Sequence, residues 1–137
     1  MGSNININIC VEVPDQLCAD IMCTALEGGI GYWSQADKIE RKPCDPANPS
    51  EDFNYVSCLL AELNDDEGGY DWDCPHILDY GSIRDGLHTL LTGYCQINSE
   101  LRGYLLDAVL NGDASSIDSE GADAIVQAAL FGEIKYG

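Results

Sequence analysis

Residues 53–78 read FNYVSCLLAELNDDEGGYDWDCPHIL, and they decide the fold class. Phe53, Tyr55, Val56, Cys58, Leu59, Leu60 and Leu63 form a run rich in residues that favour a pleated, half-buried backbone. Asn64-Asp65-Asp66-Glu67-Gly68-Gly69 follows, the strongest turn signal in the chain. Asn and Asp side chains bond their own backbone there, and glycine supplies left-handed torsions. Tyr70 to Leu78 reads as the returning antiparallel strand, and Pro75, which has no N–H to donate, puts it at an edge or a bulge.

Downstream the period changes from two to nearly four. Ile83, Leu87, Leu90, Leu91 and Tyr94 share one helical face, which predicts a helix over 82–94 with Ser82 and Asp85 as a capping pair. Leu101, Leu105, Ala108 and Val109 mark a second helix, capped near Asn98 or Ser99 and closed by Asn111-Gly112. Ile125, Val126, Ala129 and Leu130 mark a third, from Asp118 or Ser119 to Gly132.

Upstream, Ile5, Ile7, Ile9, Val11 and Val13 alternate with polar residues, the pattern of a strand with one buried face that Pro14 ends. Leu17, Cys18, Ile21, Met22, Ala25 and Leu26 then predict an amphipathic helix, with Gly28 and Gly29 as its left-handed stop. A strand over 30–41 and a proline-rich loop after it complete the chain. The expected class is α+β: a mainly antiparallel sheet of about four strands against a first helix and three C-terminal helices.

The 137 residues suit one domain; Met1, Gly2 and Ser3 read as an expression scar, which leaves 4–137 as a single α+β unit. At 45 % apolar and 22 % charged the composition is globular, but 24 acids against 6 bases give a net charge of −18. Phosphate polyanions and anionic membrane surfaces repel such a chain, so direct binding to nucleic acid or membrane is excluded. No stretch approaches the ~18 apolar residues of a span and no signal peptide is visible, which predicts a cytoplasmic protein.

The charge is uneven: residues 1–42 hold 6 acids and 3 bases, residues 43–137 hold 18 acids and 3 bases, a net −15. Asp65, Asp66, Glu67, Asp71 and Asp73 are the densest group. On an exposed hairpin they would offer Lys and Arg side chains an array of anionic groups like that of a nucleic acid. The plainer explanation is solubility.

Conventional chemistry finds little support. Seven cysteines, an odd number with no export signal, are expected as free thiols. Cys23, Cys58, Cys74 and Cys95 could meet His76 or His88, yet no spacing selects a nucleophile and base. Cys74 and His76 lack the further ligands of a zinc site, and the carboxylates of 65–73 and 113–123 do not follow a calcium-loop spacing. No phosphate-binding loop, dinucleotide fingerprint or nucleophile elbow occurs. No catalytic group, metal or cofactor is therefore expected. One stretch is left over: Glu27-Gly28-Gly29-Ile30-Gly31-Tyr32-Trp33 gathers a carboxylate, flexible backbone and two large rings, either as a pocket wall or as a packed helix-to-strand corner.

At these residues the chain resembles a family of small uncharacterised proteins encoded by bacteriophages and prophages. The similarity lies in Cys23 to Trp33, in Ile83 to Leu87 with Gly86, and in Asp123 to Gly137. It implies a phage accessory protein in the host bacterial cytoplasm, a class that often supplies stoichiometric inhibitors of host defence. Two function classes follow. One is an acidic nucleic-acid mimic that grips a basic, nucleic-acid-binding defence protein through the 65–73 group. The other is a small-molecule or nucleotide-signal sponge whose pocket joins Glu27, Tyr32 and Trp33 to Gln127 and Phe131. A cysteine enzyme is the least supported, and a homodimer stays open.

Overall fold

The computed structural model describes residues 10–48, 52–64, 66, 68–93 and 95–137. The element order is α1 (Asp15–Thr24), a π turn (Ala25–Gly29), β1 (Ser34–Pro43), β2 (Phe53–Leu63), β3 (Tyr70–Asp79), α2 (Tyr80–Leu91), α3 (Ser99–Asn111), a 3-10 turn (Ala114–Ser116) and α4 (Ser119–Phe131). The class is α+β. Three strands pair antiparallel in the order β1-β2-β3.

The sheet is shaped by two irregularities. In β1 the register shifts between Asp37 and Glu40, where Lys38 takes a left-handed φ of 49°, a conformation that bulges favour and L-residues otherwise avoid. Between β2 and β3, His76 stands opposite Leu60 but Asp71 opposite Glu62, so Trp72 to Pro75 bulge out and Pro75 needs no ladder partner. Cys58 and Leu60 face the helices, while Ile77 on the other face is 64 % exposed, as an antiparallel sheet with one wet face allows.

α1 and α2 pack on that inner face, and α3 and α4 pack on the helices in turn. Leu17, Cys18, Ile21 and Met22 of α1, Ile83, Leu87 and Leu90 of α2, Leu105 of α3 and Ile125 of α4 share one core with Cys58, Leu60 and Leu78. α2 meets α4 at Gly86, where a Cβ would stand 2.2 Å from the Ile125 carbonyl oxygen. Only glycine lets two backbones approach so closely.

The late helices begin and end on local signals. Asn98 accepts the Leu101 N–H at 2.7 Å, Asp118 accepts the Gly121 N–H at 2.9 Å, and Gly112 and Gly132 close their helices with φ of 66° and 72°. Three expectations change. α2 starts at Tyr80, because Asp79 rather than Ser82 is its cap: the Asp79 carboxylate accepts the Ser82 N–H at 2.8 Å and Ser82 Oγ accepts the Asp79 N–H at 3.2 Å. Gly28 and Gly29 do not form a left-handed stop; the helix widens into the π turn, and a Cβ on Gly29 would lie 2.9 Å from the Ser119 carbonyl. The strand expected over 30–41 begins at Ser34, because Gly31 to Trp33 turn.

The expected first strand falls on residues 4–13. Residues 4–9 lie outside the described residues, and Cys10 to Val13 are described outside the sheet, so the described sheet has three strands and not about four. Tyr94, expected on α2, also lies outside them. Among the described residues no helix is long and apolar enough to cross a membrane.

Candidate functional site

Asp123 and Gln127 are four residues apart on α4 and therefore face the same way. Both point at the corner after the π turn. Asp123 Oδ1 accepts the Trp33 indole N–H and the Gln127 amide, each at 2.8 Å, and Oδ2 accepts the Tyr32 hydroxyl at 2.6 Å. Its three donors are all neutral, so the carboxylate has no cation of its own. Tyr32 is 54 % exposed, but its hydroxyl end is turned inward; burial there and the bond to Asp123 push it up to about 12.

Gln127 is fully buried and ties down the C-terminal residues. Its Oε1 accepts the backbone N–H of Lys135 and of Tyr136, both at 2.7 Å, and its Nε2 donates to the Tyr136 carbonyl at 3.2 Å. Tyr136 then stacks on Trp33, with centroids 5.1 Å apart and planes 6° from parallel, and Phe131 packs edge-on to Trp33 at 5.5 Å. Glu62 of β2 completes the clasp, accepting from Tyr136 Oη at 2.6 Å, Lys135 Nζ at 2.7 Å and, at 2.8 Å, contacting His76 Nε2.

Burial pushes the Glu62 carboxyl up, but the hydrogen bonds from Lys135, Tyr136 and His76 outweigh it and hold the group at about 2, against 4.5 for a free side chain. A carboxyl lowered on folding contributes stability above pH 4.5 and loses it as pH falls toward 2. Glu62→Gln is expected to cost about 1–3 kcal/mol at neutral pH, with the gap to the parent protein shrinking across that interval. Urea melts at several pH values read it; a gap that stays constant with pH would contradict the clasp.

Between Tyr32, the first turns of α4, Leu101 of α3 and the C-terminal residues lies a cleft of about 380 Å³, lined also by Ile97, Asn98, Glu120, Asp123, Gln127, Ile134 and Tyr136. A second, of about 260 Å³, shares Asn98, Leu101 and Glu120 with it and adds Glu100, Tyr104 and Asp118. Neither lining contains Lys, Arg or His. Among the described residues only Asp15, bound to Arg84 at 2.6 Å, and Glu62 form ion pairs with basic side chains. Lys38, Arg41 and Lys42 sit together on β1, where Arg41 lies over Phe53 and Tyr55.

The residues singled out from sequence divide accordingly. Tyr32 and Gln127 line the first cleft; Trp33, 1 % exposed, is sealed behind it, and half-buried Phe131 packs on Trp33 outside the lining. Glu27 turns elsewhere, accepting from Tyr55 Oη at 3.2 Å and Cys23 Sγ at 3.1 Å. Of the hairpin group, Asp65 and Glu67 lie outside the described residues, Asp66 and Asp73 are exposed, and Asp71 accepts the Asp73 N–H at 3.1 Å. Sequence reasoning placed Glu120 and Asp123 early in the last helix, where the dipole favours acids, and Tyr136 in the C-terminal motif, but gave none of these, nor Glu62, a role in the site. The i, i+4 spacing of Asp123 and Gln127 was a usable signal for Asp123; nothing local marked Glu62.

Two of the thiols are poorly activated. Burial, with the Glu27 bond, pushes Cys23 up to about 11, and burial alone pushes Cys58 up to about 11. All seven cysteines are free, and among the described residues no group of three or more His, Cys, Asp or Glu could hold a metal. Comparison with family models, with curated proteins and with solved structures finds no match.

Proposed function

We propose that this is a phage-encoded acidic accessory protein that inhibits a host defence factor by stoichiometric binding, offering a nucleic-acid-like array of carboxylates to a basic protein partner. The observation that carries the reading is charge left unneutralised: ion pairs engage only Asp15 and Glu62 among the described residues, and two adjoining clefts at the starts of α3 and α4 are lined by Glu100, Asp118, Glu120 and Asp123 with no base. Exposed Asp66 and Asp73 extend the same offer at the β2–β3 hairpin. Asp79 is spent on a cap, and Asp118 caps α4 from within the second cleft, so the net charge overstates the free surface. The resemblance to phage proteins supplies the setting.

A pull-down from bacterial lysate over a salt series tests the proposal. A specific partner should be lost as ionic strength rises, because exposed charge pairs are screened over about 10 Å at 0.1 M salt. The double variant Glu100→Gln/Glu120→Gln should weaken a purified partner about two- to thirtyfold, at up to ~1 kcal/mol for each of the two exposed pairs. Binding indifferent to both salt and variant would sink the reading.

The small-molecule alternative keeps one observation, the cleft beside Tyr32 and Gln127. It is the weaker, because every polar atom of the Gln127 amide is already bonded and Trp33 is closed to a stacking ligand.

A further inference from the structure

The cleft between Tyr32, α3, α4 and the C-terminal residues has a mixed lining that the acidic surface alone does not explain. Ile97, Leu101, Ala124 and Ile134 give it apolar walls. Tyr32, fastened at its hydroxyl by Asp123, leaves about half of its surface open at the same cleft. Two carboxylates reach the lining: Asp123 accepts only neutral donors, and Glu120 is exposed and makes no hydrogen bond or ion pair among the described residues. The nearest ammonium in sequence, Lys135, is committed to Glu62.

A long aliphatic stem that ends in a cation matches each of these surfaces. The stem packs on apolar side chains, the ammonium head meets carboxylates, and an aromatic ring adds attraction for the cation. An anion would meet two carboxylates and no donor side chain of positive charge. We propose that this cleft is a socket for one primary alkylammonium group, supplied by a lysine side chain of the basic partner. The inference rests on the carboxylate-surface reading and narrows it to one anchoring contact.

Three probes at low ionic strength test the socket by calorimetry and by NMR: a blocked Gly-Lys-Gly peptide, the same peptide with norleucine for lysine, and spermidine. The lysine peptide should bind saturably, shifting Leu101 and Ile134 methyl signals, and the norleucine peptide should not. Glu120→Gln should weaken the lysine peptide at least fivefold, as should Tyr32→Leu, whose folding a thermal melt checks; Asp85→Asn, which removes the same charge from an exposed site on α2, should leave it unchanged. Glu120 is exposed and makes no hydrogen bond or ion pair among the described residues, so its variant keeps the test valid even if Tyr32→Leu is unstable.

No saturable binding, or an equal loss in Asp85→Asn, would overturn the socket in favour of diffuse attraction. Spermidine binding tighter than the peptide, with the same dependence on Glu120, would overturn lysine as the source. If Glu100→Gln/Glu120→Gln releases the purified partner while the lysine peptide ignores Glu120, the socket fails and the acidic surface stands. If partner binding is also indifferent to salt and variant, both fail.

Discussion

Gly86→Ala is expected to destabilise the protein by about 3 kcal/mol, the upper part of the range for a forced overpacking. The new methyl carbon would lie 2.2 Å from the Ile125 carbonyl oxygen and 3.1 Å from its carbonyl carbon and Cγ2. Two of those three atoms are backbone, so no rotamer change relieves the clash and α2 must move off α4. That movement opens the layer where Ile83, Leu87 and Leu90 meet Ile125. Gly103→Ala is the internal control. It lies exposed in α3 with open space around its Cβ position, and there alanine should stabilise by about 0.5–1 kcal/mol through helix propensity alone. Urea midpoints of the two variants should move in opposite directions; a shift of the same sign in both would refute the close packing of α2 on α4.

Trp33→Ala should cost about 3–5 kcal/mol, the range for emptying a buried large aromatic site. Trp33 is 1 % exposed and holds three groups at once: the Tyr136 ring, the Phe131 edge and the Asp123 carboxylate. Without the indole the C-terminal residues keep Gln127 and Glu62 but lose the surface on which Tyr136 stacks. Trypsin reads this directly, since Lys135 is the last base in the chain. Cleavage after Lys135, followed by mass spectrometry, should be much faster in Trp33→Ala than in Trp33→Phe, which retains a ring. Equal cleavage in both variants and the parent protein would mean that the stack does not hold the C-terminal residues down.

The parts that were readable in the sequence are those whose causes lie within one turn of chain. The β2–β3 hairpin follows from a run of strand formers, six turn residues and a proline that needed a bulge. α3 and α4 follow from Asn98 and Asp118 at one end and Gly112 and Gly132 at the other, each bonding backbone no more than four residues away. The start of α2 shows where local reading stops. Asp79-x-x-Ser82 and Ser82-x-x-Asp85 are similar capping signals three residues apart, and the sheet chooses between them, because the ladder ends at Ser57 opposite Asp79 and delivers the chain there extended.

The candidate site was only half legible for the same reason. Tyr32, Trp33 and Gln127 stood out as unusual residue types, but their shared partner Asp123 lies 90 residues from Trp33, and Glu62 lies 74 from Tyr136. Glu27, only five residues before Tyr32, turns to Tyr55 instead, because the π turn rotates it away from the face on which Tyr32 sits.

By itself the amino-acid order determined the class, the late helices, the hairpin and the excess of negative charge, since capping, turn formation and periodicity act over a few residues. Only tertiary structure decided which carboxylates stay unpaired, that Trp33 is sealed while Tyr32 is open, and that Gly86 must be glycine. Those outcomes depend on distances between segments far apart in the chain, which packing sets and local preference does not.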